Sequence, residues 1–74
     1  MFHQNLKRLR EAAGLTQATF ARALDVSLRT VQNWEQGHRE PALDVLPRIA
    51  GVLKVSADEL LAEEPAAKKQ KKGK

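Results

Sequence analysis

Four side chains in the middle of this 74-residue sequence have the chemistry to read a nucleic acid. Leu28, Arg29, Gln32 and Asn33 fall at i, i+1, i+4 and i+5, which on a helix gathers them on one face, opposite Val31. A leucine can meet a thymine methyl, a guanidinium can donate twice to guanine, and side-chain amides can pair with adenine. Other chemistries lack their parts. There is no Ser-His-Asp set, no phosphate-cradling glycine loop and no histidine pair at metal-ligand spacing. His3 and His38 stand far apart, and the chain has no cysteine, so neither a metal site, a cofactor nor a disulfide framework is expected. The expectation is a binding protein, not an enzyme.

These four residues need elements to position them, and the sequence reads as helices throughout. No stretch alternates with period two, and no Asn-Gly or Asp-Gly hairpin signal occurs. Phe2, Leu6, Leu9 and Ala13 recur at helical spacing, giving a first helix that ends at Gly14. A second helix fits Gln17 to Leu24, with Phe20, Ala21 and Leu24 inward. A third, the reading helix, fits about 28–36 and stops at Gly37. A fourth runs to about Lys54 with Ile49, Ala50 and Leu53 inward, and a fifth lies between Ser56 and Pro65.

Three helix starts share one logic. Thr16, Ser27 and Ser56 can each cap an orphan amide, and Leu15–Phe20, Val26–Val31 and Val55–Leu60 have the spacing of hydrophobic staples. Only the last start has the acid of a capping box, Glu59. In the fourth helix Pro47 is tolerated only in the first turn, Asp44 is placed to cap a helix starting there, and Gly51 weakens the interior.

The informative unit is residues 16–37, "TQATFARALDVSLRTVQNWEQG": two short capped helices joined by Asp25, Val26 and Ser27. So short a link forces a steep crossing. Trp34 falls beside Val31 on the inward face, so it reads as core and not as a base-stacking platform. Asp25 is expected at positive φ, because the chain must reverse within three residues while Val26 points inward. A three-residue link by itself also fits a plain bundle corner.

The segments "LKRLREAAGLTQ", "FARALDVSLRTVQNWEQG", "EP" and "LPRIAGVLKVSADELL" resemble the phage-repressor-like helix-turn-helix family, which includes lambda repressor, Cro and the XRE-type bacterial regulators. The likeness runs from Leu6 to Leu61. It implies an all-α fold, a compact five-helix bundle of the lambda-repressor-like DNA-binding type, whose third helix enters the major groove of double-stranded DNA. It places Leu28, Arg29 and Asn33 at bases, with Gln32 on the same face. It places Gln17, with Thr16 beside it, and Ser27, Thr30, His38 and Arg39 at phosphates, and it has Gln17 also brace the third helix. Arg10 and Glu35 match a family ion pair between the first and third helices. Two positions depart from the pattern: Asp25 stands where glycine is usual, and Thr19 where a capping Glu is frequent. Both suggest a somewhat less stable motif.

The charge is divided along the chain. Residues 1–39 carry six basic and three acidic side chains, a net of +3, whereas 40–65 carry two basic and six acidic, a net of −4. A basic front suits phosphate, although ordinary solvated charge would look the same. Residues 66–74, "AAKKQKKGK", hold five lysines and no acid. The organisation expected is a DNA-binding domain over 1–64 and a disordered lysine-rich tail over 65–74. Without a membrane-length apolar run or a secretory start, a cytoplasmic, nucleoid-associated protein of bacterial or phage type is expected. The function expected is a sequence-specific transcriptional regulator, a homodimer on a palindromic site, with exposed residues such as Leu61 as candidates for the dimer contact. The alternative is a protein-interaction module such as an antitoxin, its partner held by the acidic half or the tail.

Overall fold

The computed structural model describes residues 2–62. The expected domain end at 64 and the lysine-rich tail lie outside the described residues. Five α-helices and no strand occur among them: α1 (Phe2–Ala12), α2 (Gln17–Leu24), α3 (Leu28–Gln36), α4 (Leu46–Leu53) and α5 (Ala57–Leu61), with a 3₁₀ turn (Leu43–Val45) before α4. None is long and apolar enough to cross a membrane.

The helices are short, so their ends do much of the specifying. Thr16, Ser27 and Ser56 all sit in extended conformation and accept from the third amide of their helix. A reciprocal capping box forms at Ser56–Glu59 and also at Thr16–Thr19, where the Thr19 hydroxyl accepts from the Thr16 amide at 2.9 Å. Glu59 is the acid expected in such a box, and Thr19 completes a second one without an acid, because a threonine hydroxyl reaches the same amide as a longer carboxylate. Four helix ends turn through left-handed residues, namely Gly14, Asp25, Gly37 and Lys54. At α2 the amide of Val26 reaches back to the Ala21 carbonyl (3.0 Å), closing the end of the helix. Asp25 has φ 61°, the positive value its place in the link demands.

Two further expectations change. The α1 helix ends at Ala12, and Ala13 is exposed, because the apolar stripe stops at Leu9 and the last buried residue is Arg10. Asp44 caps nothing; it lies inside the 3₁₀ turn, and α4 starts at Leu46 behind Val45, with no side-chain cap and Pro47 in the first turn. There its missing amide has no helical partner to lose.

One core joins all five helices. Leu6, Phe20, Leu24, Val31, Ile49 and Leu60 are fully buried, surrounded by Leu9, Ala21, Trp34, Ala50 and Leu53. Each large side chain so buried is worth about 1.5–3 kcal/mol. The staple residues Leu15, Val26 and Val55 pack on the same cluster. Thus the burial that stabilises α2 and α3 also fixes how they cross.

Candidate nucleic-acid interface

The inward face of α3 is set by Val31, Trp34 and Glu35, all buried. What remains outward follows from that choice. Leu28 is 43% exposed and Arg29 is exposed, whereas Thr30, Gln32 and Asn33 are half-buried. The structure therefore brings the four candidate base-reading residues onto one helix but grades them: two project freely and two flank the packed face.

Behind this face lies a polar brace. Glu35 is 3% exposed at its side chain and accepts from Arg10 Nε at 2.6 Å and Arg10 Nη2 at 3.1 Å. Gln17 Nε2 donates to the same carboxylate at 3.0 Å. Arg10 Nη1 donates to the Leu15 carbonyl at 2.7 Å. One carboxylate thus ties α3 to α1 and to the first residue of α2. The hydrogen bond from Arg10 to Glu35 raises the guanidinium's proton affinity against the opposing effect of burial, so the cation is secure. The arrangement is fork against fork, which fixes direction as well as distance.

The candidate phosphate contacts surround the starts and the end of these helices. Ser27 and Thr30 share a hydroxyl–hydroxyl bond of 2.8 Å, and Ser27 Oγ also accepts the Thr30 amide. Two hydroxyls joined in this way keep one proton for an outside acceptor. Thr16 Oγ1 is likewise engaged with Thr19. Gln17 is half-buried, and its amide is turned toward Glu35. Past the C-terminus of α3, the amides of His38 (3.0 Å) and Arg39 (3.3 Å) both donate to the Asn33 carbonyl. Their backbone is thereby held beside the end of α3, and both side chains are exposed. Gly37, at φ 81°, makes this turn possible, and the His3 ring lies against it.

Two contributors were not anticipated. Asn5 is buried and donates from Nδ2 to the carbonyls of Leu60 (3.0 Å) and Ala62 (2.6 Å), binding α1 to the end of α5. Its place within the apolar stripe, three after Phe2 and four before Leu9, was the available signal. Arg48 Nη2 donates to the Leu24 carbonyl at 2.6 Å. Nothing local to Arg48 announces that partner. Among the described residues no group of three or more histidines or acids could hold a metal ion.

The geometry can be set beside known proteins. The helix-turn-helix family pattern matches residues 6–60. The chain is 33% identical over 66 residues to the HTH-type transcriptional regulator ImmR of Bacillus subtilis (strain 168), covering 89% of this chain and 52% of that protein. It is 36% identical over 61 residues to the uncharacterized HTH-type transcriptional regulator YazB of the same strain, covering 82% of this chain and 88% of that one. The chain thus spans about half the length of ImmR and most of YazB. A crystal structure of a transcriptional regulator from Listeria innocua superposes with a TM-score of 0.73 at 29% identity, covering 99% of this chain and 74% of the other.

Proposed function

This chain belongs to the helix-turn-helix family of the XRE type, and from that membership we propose that it is a sequence-specific transcriptional regulator that reads the major groove of double-stranded DNA with α3. Leu28, Arg29, Gln32 and Asn33 meet base edges. Thr16, Gln17, Ser27, Thr30, His38 and Arg39 meet phosphates and set the register. The protein acts by binding and not by catalysis, in the cytoplasm.

One observation supports this reading above the others. The inner side of α3 is clamped by a buried carboxylate that takes three hydrogen bonds from α1 and α2, while Leu28 and Arg29 are left outside it. A reading head needs both properties. Side chains must reach the bases, and the helix must not rock, because hydrogen bonds to base edges weaken quickly with misalignment.

A single helix covers few base pairs, so the proposal includes a dimer on a palindromic site with half-sites about 34 Å apart. Selection from a random duplex pool tests the reading. A clear palindrome is the expected result. Enrichment of no sequence, together with tight capture of one protein, would replace it by the protein-interaction reading.

A further inference from the structure

Arg48 is the third residue of α4, in a first turn that carries no acidic residue. A cation there faces the positive end of its own helix dipole and is unfavourable locally. The compensation is tertiary. Arg48 Nη2 donates a 2.6 Å hydrogen bond to the carbonyl of Leu24, the last residue of α2. A cation at a helix C-terminus meets the negative end of the dipole and satisfies an orphan carbonyl. The carbonyls of Ala21 and Arg22 are already taken by the amides of Asp25 and Val26. Arg48 takes the carbonyl that leads directly into Asp25.

That carbonyl belongs to the peptide plane between Leu24 and Asp25, and the orientation of this plane sets ψ of Leu24 and φ of Asp25. Asp25 is held at φ 61°, a conformation that a non-glycine residue adopts only against a penalty. It is also the hinge of the motif, because α3 begins three residues later. We infer that Arg48, outside the helix-turn-helix motif, is a positioning residue for the reading helix: by holding the Leu24 carbonyl it fixes the angle at which α3 departs from α2. A planar guanidinium suits this task, since it constrains direction, whereas a lysine would supply charge alone. The inference rests on the DNA reading proposed above.

The test uses the full chain and its Arg48→Met and Arg48→Lys variants, each at a temperature where circular dichroism shows it folded. Two quantities are read: amide hydrogen exchange at Asp25 and Val26, and binding to the selected duplex and a scrambled one across a salt series. In Arg48→Met, loss of a charge-assisted hydrogen bond should speed exchange at the turn about tenfold. Binding to the selected duplex should weaken about fivefold to tenfold, with scrambled binding and the salt slope unchanged. Arg48→Lys should fall between. Arg48 is exposed enough to meet a phosphate directly. In that case both duplexes would weaken alike and the salt slope would drop by about 0.9, which overturns the inference. Unchanged exchange at the turn also overturns it. A parent chain without sequence preference would overturn the DNA reading instead, and the exchange data would still decide whether Arg48 holds the turn.

Discussion

Arg10 Nε lies 2.6 Å from Glu35 Oε2, with the two side chains 8% and 3% exposed. A buried ion pair is a poor source of net stability, because desolvating both charges costs about as much as their attraction returns. Its value is in the alignment it imposes, and its danger is in being broken. Arg10→Met should destabilise the domain by about 3–5 kcal/mol, since Glu35 would stay buried with only Gln17 to serve it. Arg10→Met with Glu35→Leu should lose clearly less. Denaturant unfolding of the single and double variants checks this; equal, small losses would show a pair of no structural consequence. The raised pKa of Arg10 carries a sign. Its contribution is complete below the ordinary arginine value and is lost only as pH rises beyond it, so Arg10 itself adds no pH dependence in the neutral range.

Asp25 and Lys54 are the two non-glycine residues at positive φ among the described residues, at 61° and 60°. Asp25→Gly should stabilise the fold by up to about 1 kcal/mol, the left-handed strain relieved less the added entropy of the unfolded chain. Lys54→Gly should gain less, because a cation at the C-terminus of α4 is worth about 0.3–1 kcal/mol and would be removed. Thermal unfolding ranks the two. A destabilised Asp25→Gly would mean that the aspartate side chain contributes something at the turn that its strain conceals.

Gly51 lies in the interior of α4, is exposed, and has open space where a Cβ would stand. Gly51→Ala should therefore raise stability by about 1 kcal/mol through helix propensity alone. Gly37 is the contrasting case. Its φ is 81°, so Gly37→Ala should destabilise by about 1–2 kcal/mol through backbone strain, while the His3 ring, 3.5 Å from an added Cβ, would make only an ordinary contact. Opposite shifts in midpoint for two Gly→Ala changes would confirm that backbone conformation, and not composition, governs these sites.

Arg29 and the lysine segment should separate specificity from affinity. Arg29→Ala should flatten preference at one base position in each half-site, a loss of about 1–3 kcal/mol of discrimination. Deleting residues 66–74 should weaken binding to cognate and scrambled duplexes alike. It should also reduce the log–log salt slope, by at most about 4.5 for the five lysines. Measuring both variants across a salt series decides the matter. If the deletion altered the cognate-to-scrambled ratio while Arg29→Ala did not, reader and anchor would have been exchanged.

What could be read from the sequence alone was the part of the fold governed by neighbours. The bounds of α2 and α3 follow from Thr16, Ser27 and Gly37, which act on amides and carbonyls within a turn of themselves. The inward set Phe20, Ala21, Leu24, Val31 and Trp34 follows from helical period, and the positive φ of Asp25 from the shortness of its link. The outward face with Leu28 and Arg29 then follows by exclusion. Where local cues conflicted, the reading failed: at Ala13, where the stripe runs out, and at Asp44, where a capping residue stands one residue too early. Tertiary structure decided which distant polar groups meet. The hold of Asn5 on Leu60 and Ala62 and the reach of Arg48 to the Leu24 carbonyl join residues 24 to 57 positions apart. A hydrogen bond depends on tenths of an ångström and on direction, and such precision at long separation arises only after the apolar core has fixed how the helices cross.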